Sequence, residues 1–203
     1  MKIGLFDFRF LLGLILAHVL FFFTFNEPKV FWYIFTASML LLISFSISQE
    51  EIDDKVPLHI YLIIGVLSGF LLFGIFSMGE FLLKLWKINV DVQISKLYRV
   101  FSPTLFWHYL SLMLIAVPGE EIFWRGFILK KLLTKIGFWK SIILSSVIYA
   151  SVNIYTGEWI LVLATFIAGL FWGYLYAWKR SIPLVIVSHL VFDLFIFILF
   201  PLN

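Results

Sequence analysis

Long apolar runs alternate with short polar clusters along almost the whole chain. Phe10–Phe25 is followed by the turn Asn26-Glu27-Pro28-Lys29, and Val30–Ile47 by the acidic loop Glu50-Glu51-Ile52-Asp53-Asp54-Lys55. Pro57 then opens a third run over Leu58–Leu83. A fourth runs from about Thr104 to Leu129, and three more over Trp139–Val152, Trp159–Trp178 and Ile182–Phe200. Runs of this length predict membrane-spanning helices, about seven of them and roughly six to eight. The acidic loop reads as a solvated connection. Lys84 to Ser102 is the least apolar long stretch. Its lysines and Arg99 alternate with Trp86, Ile88, Val92 and Leu97, the pattern of a partly helical connection lying on the membrane surface. Ser102-Pro103 restarts a helix, with Ser102 as its cap. Gly65-x-x-x-Gly69 and Gly169-x-x-x-Gly173 each give a helix a face suited to close packing.

Charge sets the orientation. With seven spans, Lys2 and Arg9, the Lys130–Lys140 group and Lys179-Arg180 fall on one side, predicted cytoplasmic. The Lys84–Arg99 group falls on the other. That leaves either a different span count in the first half or a re-entrant segment.

Composition narrows the class. The chain is 63% hydrophobic and only 13% charged, with mean hydropathy +1.05. That excludes an ordinary soluble domain. Short-period alternation is missing, which leaves an all-α, polytopic transmembrane helix bundle in one domain over 1–203 and disfavours a barrel. The net charge of +3 is spread over membrane-flanking loops, so the partner is a lipid bilayer and not nucleic acid. There is no cysteine, hence no disulfide, thiolate nucleophile or cysteine metal site.

Against this apolar background a few polar residues stand out, all in the last four spans. Glu120, Glu121 and Arg125 lie inside the fourth. Glu121 and Arg125 share a helix face and can pair. Glu120 points about 100° away and has no partner in its own helix. Asn153 ends the apolar part of the fifth span, and His189 and Asp193 sit one turn apart in the seventh. Singly, each reads as a helix lock, a cap or a staple. Together they place a carboxylate, an amide and an imidazole where polar groups are costly. The set suits water activation: a desolvated glutamate serves as general base, and an imidazolium beside an aspartate donates to an oxyanion. His18, alone in the first span, reads as structural.

The three elements Glu120-Glu121-x-x-x-Arg125, Tyr149-x-x-x-Asn153 and His189-x-x-x-Asp193 resemble, in order and spacing, the motifs of the type II CAAX prenyl endopeptidase family, the CAAX protease and bacteriocin-processing intramembrane proteases. The resemblance covers about Leu105 to Leu202, making 104–203 a protease-like core and leaving 1–103 as N-terminal spans and an interfacial connection. It implies an intramembrane endopeptidase acting on a peptide or prenylated peptide. Glu120 would activate water, residue 153 would share that water, His189 and Asp193 would line the oxyanion site, and Glu121 with Arg125 would brace the helix. The short chain with minimal loops reads as a multi-pass protein of a prokaryotic cell membrane. The chain departs from the family at Asn153, where the family has histidine. An amide can hydrogen-bond water but cannot take its proton. Zinc is considered and not favoured, since Glu120, His189 and Asp193 are a thin ligand set for it. The expectation is therefore a glutamate mechanism with no cofactor and no metal.

Two other classes stay open. Asn153 suits a non-catalytic scaffold or immunity-type binding protein on the same fold. Intramembrane Glu, His and Asp also suit a proton-coupled transporter, although the chain shows no inverted repeat of broken helices.

Overall fold

The computed structural model describes residues 7–88 and 90–201. Lys2 and Leu202, used above for the orientation and for the extent of the resemblance, lie outside these residues. Every long element is a helix: α1 Phe8–Asn26, α2 Phe31–Gln49, α3 Leu58–Leu85, α4 Asp91–Phe101, α5 Phe106–Leu133, α6 Phe138–Ser151, α7 Trp159–Lys179 and α8 Ile182–Leu199. Most polar breaks end the helices where the pattern predicts; Ser102 does not cap α5 but closes α4, and α5 starts at Phe106 after Leu105. Asp7 caps α1, its carboxylate accepting from the Phe10 N–H at 2.7 Å, and Pro57 opens α3. Between α7 and α8 the chain reverses within two residues. Arg180 takes a left-handed conformation (φ 50°) that lets its N–H cap α7 at the Tyr176 carbonyl.

The helix lengths bear on the number of spans. Among the described residues five helices, α1, α2, α3, α7 and α8, are long and apolar enough to cross a bilayer. The α4–α5 pair, bent by 100° at its break, makes a sixth if counted as one span. The predicted fifth span is helical, but α6 has only 14 residues. At 1.5 Å per residue that is about 21 Å, short of a hydrocarbon core of roughly 30 Å. A tight 3-10 turn, Val152–Thr156, continues it.

Inside the membrane there is little hydrophobic gain in moving a side chain from lipid to protein, so close packing and buried polar bonds hold helices together. The α3–α8 contact shows this. A Cβ on Gly65 would lie 2.7 Å from Val187, and one on Gly69 only 2.6 Å from the Ser188 carbonyl oxygen. Gly169 and Gly173 bring α7 against Ser146 and Ile142 of α6 in the same way. The large aromatics fill two cores. Phe21, Met39, Leu42, Trp124 and Phe127 form one between α1, α2 and α5. Leu72, Leu129, Ile142, Trp172 and Leu184 form the other among α3, α5, α6, α7 and α8.

The loop between α2 and α3 is more than a solvated connection, because its carboxylates find partners on α5, on α7 and in the turn between α7 and α8. Asp53 accepts from Lys130 Nζ at 2.9 Å and from the Tyr176 hydroxyl at 2.8 Å, and Arg180 lies 3.7 Å away. Its carbonyl accepts from the Ile182 N–H, and Asp54 accepts from the Ser181 hydroxyl. Lys131 reaches Asp7 at the start of α1. These bonds clasp the starts of α1 and α8 to the ends of α5 and α7.

α4 lies at the opposite end of the bundle. It buries Ile94, pairs Lys96 with Glu158 ahead of α7, and donates from Tyr98 to the Ile196 carbonyl near the end of α8. The Lys84–Arg99 group thus sits across the bundle from Lys130. It carries acidic partners there, Lys84 meeting Glu80 and Asp91.

Candidate active site

Midway between these ends, α5 brings its carboxylates to the centre of the helix bundle. Pro118 sits inside α5 and lacks the N–H that would bond one turn back. The helix widens on both sides of it into π-type turns, Leu112–Ala116 and Glu121–Leu129. Wide turns of this kind often mark functional positions. Gly119 lets this segment lie close to Met39 and Ile43 of α2.

Glu121 is wholly buried. Its Oε1 accepts from Arg125 Nη1 at 3.0 Å and from His189 Nδ1 at 2.7 Å. The local pair therefore extends to α8, a link too distant in the chain for the sequence to show. Arg125 lies between two rings, 4.8 Å from the centre of Tyr149 and 5.4 Å from that of Trp172. Cation–π attraction adds to the ion pair there.

Glu120 faces elsewhere. Its side chain keeps 14% of its exposure, and Oε2 accepts from the Tyr149 hydroxyl at 2.9 Å. His189 Nε2 is 4.0 Å from the same oxygen and 3.6 Å from Asp193 Oδ1. The imidazole is fixed from two directions. Glu121 holds Nδ1, and Trp172 stacks on the ring face with centres 3.8 Å apart. Trp172 is held in turn by Ser188, which accepts from its Nε1 at 3.2 Å and from the Ser68 hydroxyl at 2.9 Å.

The structure thus brings Glu120, His189 and Asp193 together, with Glu121 and Arg125 directly behind them. Asn153 is placed differently. It is buried on the turn after α6, and its Nδ2 donates to the Tyr149 carbonyl at 3.2 Å. Among the described residues no hydrogen bond joins its side chain to Glu120, His189 or Asp193. Tyr149 and Trp172 contact the site and carried no assigned role in the sequence reading. Tyr149 had one available signal, its position as the aromatic member of the Tyr149-x-x-x-Asn153 element. Trp172 had none.

His18 lies 3.0 Å from the Tyr155 hydroxyl and 3.3 Å from Ser151 Oγ, across the turn from Asn153.

Among the described residues no group of three or more His, Asp or Glu side chains is arranged to hold a metal ion. The one imidazole also has its Nδ1 committed to Glu121.

No curated protein and no solved structure matches the chain. A family model does match residues 102–195, the stretch from the end of α4 to the turn of α8 just past Asp193. All three polar elements fall within it. Over that stretch the chain resembles a protease family, the type II CAAX prenyl endopeptidase Rce1-like proteins.

Proposed function

We propose that the protein is an intramembrane endopeptidase that hydrolyses a peptide bond with water activated by Glu120. The observation that carries this reading is the meeting of Glu120, His189 and Asp193 at membrane depth, each within 4.0 Å of a neighbour in the set. Glu120 takes a proton from water, and the hydroxide adds to the peptide carbonyl carbon. The developing oxyanion accepts a hydrogen bond from a protonated His189 Nε2, held in place by Glu121 and Trp172 and flanked by Asp193. As the C–N bond breaks, Glu120 returns the proton to the leaving amine. Donors fixed in advance stabilise the oxyanion without reorganising, and this is usually the largest share of such catalysis. Arg125 neutralises Glu121, so the brace adds no net charge behind the base. This chemistry requires no metal or cofactor.

The substrate class is a peptide segment that reaches the site from the membrane, with prenylated C-terminal peptides as the first to try. The test is cleavage in liposomes of a panel of membrane-anchored peptides, prenylated and unprenylated. Product pairs whose masses sum to substrate plus one water support the reading. No cleavage of any member sinks it.

One observation favours a second reading. Asn153 is bonded to its own helix and not to the cluster, as expected of a scaffold that no longer does chemistry. That reading predicts no products from the panel and partner binding that survives Glu120→Gln.

A further inference from the structure

We propose that Tyr149 positions Glu120 for proton abstraction, whereas the resemblance gives residue 153 only a share in the water. This rests on the peptidase reading and adds a residue to it. Of the two members of the Tyr149-x-x-x-Asn153 element, the hydroxyl of the first touches the base, 2.9 Å from Glu120 Oε2. The amide of the second donates along its own helix to the Tyr149 carbonyl. Asn153 thus fastens the backbone of Tyr149, and Tyr149 fastens the carboxylate.

The phenol is held tightly enough to do this. Its ring is buried, with the Arg125 guanidinium over it at 4.8 Å and Trp124 packed at 5.2 Å. With these two neighbours against the ring, the hydroxyl is aimed at Glu120. A donor on Oε2 orients the carboxylate and leaves Oε1 as the proton acceptor. During the reaction a water O–H bond breaks, its proton moves to Glu120 Oε1, and the hydroxide oxygen bonds the carbonyl carbon. The same proton then leaves with the amine. Tyr149 keeps its own proton throughout. The buried carboxylate would otherwise spread over several rotamers, and a base misplaced by about 1 Å can lose roughly 10²-fold in rate.

Tyr149→Phe removes only the oxygen. It keeps the ring that packs on Trp124 and faces Arg125, so a purely structural role is preserved in the variant. With a quenched fluorescent peptide carrying an S-prenylated cysteine, in liposomes, kcat should fall about 10²-fold while KM stays within about twofold. Asn153→Ala should cost less than about tenfold in kcat, since it removes one neutral bond to backbone. Thermal midpoints of both variants should lie close to that of the wild type. A Tyr149→Phe kcat within threefold of the wild type, with Glu120→Gln inactive, overturns this inference and leaves the peptidase reading standing. A larger kcat loss in Asn153→Ala than in Tyr149→Phe also overturns it. A wild type that cleaves no member of the panel removes the peptidase reading itself, and this inference with it.

Discussion

Two adjacent glutamates in one helix do different work because they meet different surroundings. Glu121 is fully buried, with Arg125 and His189 on one oxygen, while Glu120 keeps some exposure and a single donor from Tyr149. Glu121→Gln leaves the Arg125 charge buried without its counter-ion and weakens the hold on His189. Breaking a buried pair costs roughly 3–5 kcal/mol. The expected outcome is a large loss of folded protein, read as the denaturation midpoint in detergent. Unchanged stability would mean that the pair braces nothing. The pairing of Glu121 with Arg125 was legible from their four-residue spacing. The bond from Glu121 to His189 was not, because 68 residues separate them and no local rule reports such a contact. Tyr149 and Trp172 were hidden for another reason. In a chain that is 20% aromatic, a single ring carries no signal until its neighbours are known.

At the scale of elements, glycine spacing separates helix faces that touch from faces that do not. Gly69 lies against the Ser188 carbonyl, and Ser188 holds Trp172 on the face of His189. Gly74, farther along the same helix, has nothing within 4 Å of where a Cβ would stand. Gly69→Ala should push α3 off α8, cost about 1–3 kcal/mol as overpacking does, and lower activity by disturbing the stack on His189. Gly74→Ala should be neutral or stabilise by up to about 1 kcal/mol, the helix-propensity gain. Paired thermal midpoints check this, and equal effects at both sites would contradict the packing account. The helices themselves were largely legible, because polar breaks such as Asn26-Glu27-Pro28-Lys29 interrupt the apolar runs cleanly. Which of them cross the membrane was less so. α6 carries the residue types of a span but stops at 14 residues, and the 100° bend ahead of α5 depends on tertiary packing. The π-type turns around Pro118 were equally invisible, since proline predicts a disturbance without saying which form it takes.

Across the whole molecule, the site lies between a charged clasp at one end and α4 at the other. The clasp ties together elements far apart in the chain, and its strength depends on pH. Burial pushes the Asp53 carboxyl up, but Lys130, Tyr176 and Arg180 outweigh it and hold it below the usual aspartate range. Hydrogen bonding from Lys131 likewise lowers Asp7. A carboxyl lowered on folding stabilises the fold above its unfolded value near pH 4, and that stabilisation is lost as pH falls through the lower folded value. Asp53→Asn should therefore cost about 1 kcal/mol at neutral pH, a small figure because the pairs are partly exposed. The difference from the wild type should close below about pH 4. Denaturation midpoints of the two proteins from pH 7 downward test this, and a gap that widens in acid would refute the clasp. The central claim is that Glu120 is the base of a membrane-embedded peptidase. The most direct measurement of it is turnover of the prenylated peptide by Glu120→Gln in liposomes, beside the wild type at matched folded concentration. The account predicts a folded variant, stable like the wild type, with turnover lost by at least about 10²-fold. A Glu120→Gln protein that cleaves within tenfold of the wild-type rate would contradict it.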